Sequence, residues 1–278
     1  MSAIVTGSLL AAGAASLAAG FAVRPRPIAQ VETSRDRGLV ALDANVPALL
    51  AQHLDIDGDG LIPRMETVAL WGRVTLRIGR SPWLPARMFT RHRVGRDVAS
   101  DIAVTWYGLP VLDVIDAYIG GRGLTGSTQR PDVGEEIDQG ANLFLWSEGV
   151  LFPSVFAEGS RVKAVEDGTA TVRLEVPFGP STDTVWLHFA DGHPHRLSAL
   201  RYKGIGGEKT WWHVDMRGWF VVDGITLPRH IDVTWQDDGR PWFRLDVEGF
   251  AANVDVDMRL NQVDDSIRAV RLRRGLPL

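Results

Sequence analysis

The sequence predicts a mostly β protein of the α+β class, in which one large, curved antiparallel sheet wraps one amphipathic helix. Apolar and polar residues alternate along most of the chain after residue 66, the pattern of half-buried strands. Turn dipeptides such as Asp191-Gly192 separate neighbouring strands by short connections, so consecutive strands are expected to pair antiparallel. One stretch, residues 134–152, shows the apolar spacing of a helix instead.

The alternating stretches predict roughly ten strands. A sheet of that width must curl or split, and the helix would then close the concave side of the curl. The predicted strands occupy residues 68–78, 87–96, 101–108, 111–121, 169–178, 183–192, 195–204, 209–224, 227–239 and 241–256.

Composition bounds the class of protein. Hydrophobic residues make up 45% of the chain and charged residues 23%, the balance of an ordinary globular protein. The net charge is -4 without a dominant basic stripe, so we expect no nucleic-acid partner. The absence of cysteine excludes disulfides, thiolate metal sites, a cysteine nucleophile and the lipid-modified cysteine of a bacterial lipoprotein. Ten tryptophans are many for this length, and large amphipathic rings suit both a β-rich core and an apolar cavity.

The first residues form a separate unit. Residues 2–23 carry no charge, and Arg24 and Arg26 follow them. This segment is long enough to span a bilayer as a helix, which favours a membrane anchor. A cleaved signal peptide and an Ala-rich soluble start are the alternatives. The predicted layout is a hydrophobic segment 1–23, a linker 24–45, a single β half-barrel domain 46–260 and a C-terminal tail 261–278.

Residues 55–66, "DIDGDGLIPRME", match the calcium loop of an EF-hand. Asp55, Asp57, Asp59 and Glu66 stand at loop positions 1, 3, 5 and 12. An EF-hand needs a helix on each side, whereas a strand is predicted directly after Glu66. Two interpretations therefore stay open: a calcium site, and a polar turn that joins a helix to a strand.

Glu148 is the candidate functional residue of the predicted helix. It shares a face with Ile137, Ala141 and Phe144, where a carboxylate needs a partner. It either forms a buried salt bridge to the sheet or contacts the headgroup of a ligand. The arginines considered as partners are Arg73, Arg77, Arg91 and Arg201. The predicted ligand-binding residues are Glu148, Arg201, Trp146 and Trp106.

Several dispersed motifs, "WLPARMFT", "VLDVIDAYIGGRG", "WSEGVLFPS", "ALRYKGIGG" and "WFVVDGITLPRHIDVTWQDDG", together resemble a bacterial family known only as a domain of unknown function (number sixty-five forty-four). The likeness covers residues 46–256, and the Asp-rich loop departs from the family pattern. The matching positions are Glu148, Pro153, Arg201, Tyr202, Gly224, Pro228 and Trp235.

The resemblance implies a hydrophobic N-terminal segment but no activity. Its strand-rich layout looks like the curved half-barrels of LolA- and LolB-type lipoprotein carriers, in which a sheet wraps an apolar groove. We therefore expect a membrane-associated protein of the bacterial cell envelope that binds a lipid or another hydrophobic molecule. The alternatives are a structural module without a ligand, a calcium-binding protein and a hydrolase that uses Glu148. No catalytic constellation is recognisable, so we expect neither an enzyme nor a cofactor other than calcium.

Overall fold

The computed structural model describes residues 19–25, 28, 31, 38–55, 57–79 and 81–278. Thirteen strands form one antiparallel sheet, and two short strands form a second sheet. The strands are β1 Leu39–Ala41, β2 Leu61–Pro63, β3 Thr67–Leu76, β4 Leu84–Arg93, β5 Asp97–Trp106, β6 Leu109–Ile119, β7 Arg122–Ser127, β8 Arg130–Asp132, β9 Lys163–Glu166, β10 Thr171–Phe178, β11 Ser181–Ala190, β12 His193–Tyr202, β13 Lys209–Val222, β14 Ile225–Trp235 and β15 Pro241–Ala252. The helices are α1 Ala48–Leu54, α2 Glu135–Gly149 and α3 Asp257–Arg273, with a 3₁₀ turn at Pro153–Phe156.

In the large sheet, neighbouring strands are consecutive in sequence, with one exception. Its strand order is β8-β7-β6-β5-β4-β3-β15-β14-β13-β12-β11-β10-β9, so the first and last long strands, β3 and β15, pair at the centre. The alternation seen in the sequence places side chains as predicted. In β10, Val172, Leu174 and Val176 are fully buried, while Arg173 and Glu175 remain partly exposed. The predicted mostly β fold is confirmed.

The position of α2 shows how strongly the sheet curves. This helix packs against β6 and β7 near one edge of the sheet and against β10 and β12 near the other. In a flat sheet, the ten strand spacings between β7 and β10 would separate them by roughly 50 Å. A helix is only about 10 Å across, so the two arms of the sheet must bend towards each other around α2.

The residues predicted to form a C-terminal tail, 261–278, belong largely to a second long helix. Helix α3 packs Leu260, Val263 and Ile267 against Ile115 and Ile119 on the outer face of β6. The tail prediction is therefore corrected, and α2 is not the solitary helix of the described residues. The spacing of three and four residues between the apolar positions of α3 is the sequence signal for this helix.

One further boundary differs from the sequence prediction. The end of the predicted linker forms β1, which pairs with β2 in the second half of the Asp-rich loop. Strand β3 begins at Thr67, so a strand, not a helix, follows Glu66 as expected. No helix within the described ranges is both long and apolar enough to cross a membrane. Most of the predicted anchor, residues 1–18, lies outside those ranges.

Candidate functional site

Four charged or titratable side chains meet between α2 and the concave face of the sheet. We call His92, Asp116, Glu148 and Arg201 the inner polar cluster. They come from β4, β6, α2 and β12, so they link the helix to both arms of the curved sheet.

The strand period explains why Asp116 faces inwards. Its neighbours Ile115 and Ala117 pack outwards against α3, and the alternation of a strand then turns Asp116 to the concave side. It lies opposite Ser100 of β5, which lies opposite Thr90 of β4. The hydroxyls of Thr90 and Ser100 are fully buried and hydrogen-bond each other at 2.9 Å. A polar row therefore crosses an otherwise apolar inner surface.

Glu148 is paired with a histidine, not with one of the arginines considered from the sequence. Its Oε2 lies 2.7 Å from Nε2 of His92, and both side chains are almost completely shielded from water. The ring of Phe152 packs edge-on against His92, with the ring centroids 5.0 Å apart. This environment corresponds to the buried bridge between helix and sheet that was one of the two sequence interpretations.

Arg201 reaches from β12 across the groove towards Asp116. The closest nitrogen–oxygen distance between them is 4.0 Å, longer than a direct hydrogen bond. The guanidinium carbon lies 4.8 Å from the ring centroid of Trp212 and 5.8 Å from that of Trp235, within cation–π range. Helix α2 passes close above it at Gly140, where a Cβ would lie 2.9 Å from Nε of Arg201. A residue without a side chain therefore makes room for the arginine.

Burial dominates the electrostatics of Asp116. It raises the pKa of the Asp116 carboxyl from 3.8 to about 6; the positive charge of Arg201 opposes this rise, and the negative charge of Glu148 adds to it. The pKa of Arg201 is lowered by its own burial, against the pull of Asp116. Asp116 thus stands between two of the residues predicted from the sequence, although the sequence analysis did not single it out. The signal was an aspartate at an inward-facing position of an alternating strand.

Unused hydrogen-bonding capacity surrounds Arg201. Oδ1 of Asp116 and Nε1 of Trp212 are buried and have no hydrogen-bond partner. Elsewhere on α2, Oδ1 of Asn142 is likewise buried without a partner, and its Nδ2 donates to Asp183 of β11 at 2.9 Å. Buried polar atoms without partners are costly, and in native proteins they call for water or a ligand. Beside Arg201 the site therefore offers a cation, the N–H of Trp212 and one carboxylate oxygen to a polar group.

The concave core is not completely covered. Half-buried apolar side chains pack on it, among them Leu84, Ile102, Leu112 and Trp235, and the Trp235 ring lies beside Arg201. Ile102 is two residues from Ser100, which lies opposite Asp116. Leu112 is four residues before Asp116 on the same strand. The concave side of the sheet therefore combines the inner polar cluster with half-buried apolar side chains.

The other two predicted ligand-binding residues lie elsewhere. Trp146 is buried on the far half of α2, donates from Nε1 to the carbonyl of Pro177 at 3.2 Å and lines a separate pocket of about 270 Å³. Trp106 lies at the tip of the β5–β6 hairpin, partly exposed. Trp106 pairs with Leu109, and Asp116 is seven residues further along β6, roughly 24 Å away, so Trp106 does not join the cluster.

The acidic loop binds its own backbone. Asp55 accepts hydrogen bonds from the N–H groups of Gly58 and Gly60 at 2.8 and 2.7 Å, and Asp59 accepts one from Leu61 at 2.9 Å. Glu66 pairs with Arg64 at 2.8 Å on the surface. In the part of the chain that the structure describes, no three His, Asp or Glu side chains are grouped to hold a metal ion. Calcium binding by Asp55, Asp57, Asp59 and Glu66 remains a prediction.

A second polar feature lies on the outer face of β10–β13. A shallow cleft of about 660 Å³ is lined by Trp186, Trp211 and three histidines. Ser198 joins two of them: its Oγ lies 3.1 Å from Nε2 of His188 and 2.9 Å from Nδ1 of His213. Burial lowers the pKa of both imidazoles. The strand topology brings these histidines together although 25 residues separate them in the sequence.

Solved structures similar to this chain include proteins from two organisms. A LolA-superfamily protein from Nitrosomonas europaea aligns with a TM-score of 0.46 and 9% identity, covering 77% of this chain and 96% of its own. A DUF1329 family protein from Desulfovibrio piger aligns with a TM-score of 0.40 and 12% identity, covering 75% of this chain and 92% of its own.

A search of curated proteins finds no match. A family model does match, over residues 41–245, which is most of the chain and includes the whole inner polar cluster. The protein is thus a member of the Family of unknown function (DUF6544).

Proposed function

We propose that this protein is a membrane-associated binding protein of the bacterial cell envelope, not an enzyme. Its ligand is a lipid or a similar amphiphile with an acidic headgroup. The headgroup binds at Arg201, and the acyl chain lies along the apolar side chains of the concave face. The protein would then hold or carry its ligand without changing it chemically.

The environment of Arg201 is the observation that carries this proposal. A guanidinium has five N–H donors, yet the charged partner of this buried arginine, Asp116, is 4.0 Å away. Planar bidentate binding of carboxylates and phosphates is the interaction for which arginine is best suited. An acidic headgroup at Arg201 would also be within reach of the N–H of Trp212, which has no partner.

Protonation of Asp116 makes anion binding at this site plausible in electrostatic terms. With a pKa of about 6, Asp116 releases its proton at a much higher pH than an exposed aspartate. An anionic headgroup beside it would raise this pKa further, because like charges disfavour the ionised form. Ligand uptake is therefore expected to be accompanied by uptake of a proton and to weaken as the pH rises above 6.

A second candidate is a structural or interaction module without a ligand. It is supported by the packing of α2, since twelve of its fifteen residues are buried. Leu145 on α2, and Phe152 and Phe156 in the segment directly after it, are completely or almost completely buried. For a long acyl chain to enter, α2 would have to shift or the chain would have to remain at the rim near Leu84 and Trp235.

Lipid extraction and a binding titration distinguish these candidates. The full-length protein, purified from bacterial membranes, is extracted with organic solvent, and the extract is analysed by mass spectrometry. A dansyl-labelled fatty acid then serves as the probe for titration of the delipidated protein. We expect a co-purified acidic lipid and saturable probe binding. A folded protein that shows neither would exclude the carrier and favour the structural module.

Arg201→Met tests the headgroup site, with Arg217→Met as its matched control. Arg217 is an exposed arginine on the outer face of β13 that also pairs with an aspartate, Asp232. Hydrogen bonds to charged groups contribute about 1.5–3 kcal/mol, so Arg201→Met should weaken probe binding at least about tenfold. Arg217→Met should leave it unchanged. Arg201→Lys keeps the charge and should retain part of the affinity, while circular dichroism verifies that each variant is folded.

A further inference from the structure

The tip of the β5–β6 hairpin presents an unusual apolar surface. Trp106, Tyr107, Leu109 and Val111 are exposed to 37, 45, 62 and 57%. The register between β5 and β6 shifts here, from Val104 opposite Leu112 to Thr105 opposite Pro110, so Val111 lies at a β-bulge. We call these four residues the hairpin tip. Such a group of large exposed apolar side chains at the tip of a hairpin marks a contact surface.

The turn itself is occupied by residues that are not optimal for its geometry. Tyr107 and Gly108 both have positive φ angles, 49° and 75°, as in the two-residue turn that favours Asn-Gly. An aromatic residue at such a φ is uncommon and costs conformational energy. Nevertheless, Tyr107 stays half-exposed, so core packing does not account for an aromatic side chain at this position.

The hydrophobic N-terminal segment ends at the hairpin tip. The N–H of Tyr107 donates to the carbonyl of Gly20 at 2.7 Å. The indole of Trp106 packs so closely on Gly20 that any Cβ there would overlap it, and Val23 and Arg24 lie against Gly108. Val23 is itself 40% exposed and so extends the apolar surface.

The sequence indicates what covers this surface. Residues 2–23 contain no charged side chain, and the first charge, Arg24, follows where the segment meets the hairpin. An uncharged segment of that length followed by arginine is typical of chain that enters a bilayer and leaves it at the headgroups. Tryptophan and tyrosine are the residues enriched at that depth. The hairpin tip therefore lies at the level where the chain would leave the membrane.

We propose that the hairpin tip inserts into the lipid bilayer beside the end of the N-terminal segment, as a second membrane contact. Two contacts fix the orientation of the domain on the membrane, whereas a single segment would leave it free to rotate. The turns of the β3–β4, β12–β13 and β14–β15 hairpins lie at the same end of the strands as the β5–β6 turn. This end of the groove would therefore face the lipid. The proposal does not depend on a ligand in the groove.

Tryptophan quenching by brominated lipid tests the depth of the hairpin tip. The full-length protein is reconstituted into vesicles of phosphatidylethanolamine and phosphatidylglycerol whose acyl chains are partly brominated. The difference between the emission of the wild type and of Trp106→Phe isolates the signal of Trp106 from the other nine tryptophans. We expect this difference signal to be quenched. An unquenched signal from Trp106 would overturn the proposal, even if the N-terminal segment holds the protein on the vesicles.

A charge-insertion pair provides the control. Leu109→Asp with Val111→Asp should abolish the quenching of Trp106, because carboxylates oppose insertion into the apolar layer. Val221→Asp changes an equally exposed residue, 60% accessible on β13, and should have no effect. Equal quenching in all three proteins would refute the proposal. So would a lipid-free dimer that the double variant disrupts, since the tip would then bind a second copy of the chain. The double variant should still bind the dansyl-labelled fatty acid, which separates this proposal from the groove ligand.

Discussion

At the scale of single residues, Asp116 is the side chain whose charge state the fold controls most clearly. The folded protein raises its pKa from 3.8 to about 6, chiefly through burial. Only about a fifth of its side chain remains accessible, so solvent screens this effect weakly. Because the unfolded chain releases this proton first, the contribution of Asp116 to stability is fully present below pH 4. It is lost as the pH rises through 6.

Asp116→Asn should remove this dependence on pH, since an amide does not ionise. A difference of about two pKa units corresponds to ~3 kcal/mol, so the variant should gain up to that much stability over the wild type between pH 4 and pH 7. Urea unfolding of both proteins at several pH values measures the difference. Asp113→Asn, at an exposed position on the same strand, is the control and should give a profile parallel to the wild type. A parallel profile for Asp116→Asn would show that the carboxyl is not perturbed.

At the scale of elements, α1 is fastened to the sheet by a buried histidine. Nδ1 of His53 lies 3.0 Å from Nδ1 of His193, and its ring packs edge-on against Trp219 at 5.1 Å. Burial, and secondarily His193, lowers the pKa of His53 from 6.5 to about 4. The unfolded chain therefore binds this proton first as the pH falls. The contribution of His53 to stability is present above pH 6.5 and is lost as the pH falls through 4.

His53→Gln should make the protein less sensitive to acid. The lowered pKa corresponds to about 3 kcal/mol, so the stability of the variant should fall less than that of the wild type between pH 6.5 and pH 4. Chemical unfolding followed by far-UV circular dichroism provides the measurement. The control is His195→Gln, which changes an exposed histidine on β12. If both histidine variants lose stability between pH 6.5 and pH 4 as steeply as the wild type, burial of neutral His53 does not contribute to the packing of α1.

The two effects act in opposite directions over an overlapping pH range. Asp116 makes the folded state less stable as the pH rises from 4 to 6, and His53 makes it more stable. In this range the contributions of Asp116 and His53 to the stability of the wild type therefore largely cancel. Only the single variants reveal the separate contributions.

At the scale of the whole molecule, one sheet carries a core on each face. The concave core lies under α2, and a smaller core lies between the outer face of β5–β7 and α3. Both cores share the backbone of the same strands. Loss of α3 packing should therefore destabilise the entire fold, not the C-terminal helix alone.

Leu260→Ala tests this coupling. Leu260, on α3, is completely buried. Truncation of a buried leucine to alanine costs about 2–5 kcal/mol of stability. None of the ten tryptophans lies in α3, so tryptophan fluorescence reports unfolding of the sheet. We expect a single transition at lower denaturant concentration. Met258→Ala, on the same helix but 73% exposed, should leave the midpoint unchanged. A normal fluorescence midpoint in Leu260→Ala would mean that α3 unfolds independently.

The local features of this fold were predictable because they depend on neighbours in sequence. Alternating side chains predict the strands, and dipeptides such as Asp191-Gly192 and Asp223-Gly224 predict turns in which all four residues do adopt positive φ angles. The helix predicted at 134–152 corresponds to Glu135–Gly149. The amphipathic spacing of α3 is also present in the sequence, although residues 261–278 were predicted as a tail.

The sequence by itself determined the strand alternation, the turns and the presence of a carboxylate on the apolar face of α2. Only the tertiary structure decided the partners. Glu148 meets His92 across 56 residues, and Arg201 faces Asp116 from the opposite arm of the sheet. The physical reason is the range of the interactions. Strand period and turn geometry act within a few residues, whereas the pairing of buried charges depends on how far the whole sheet bends around one helix.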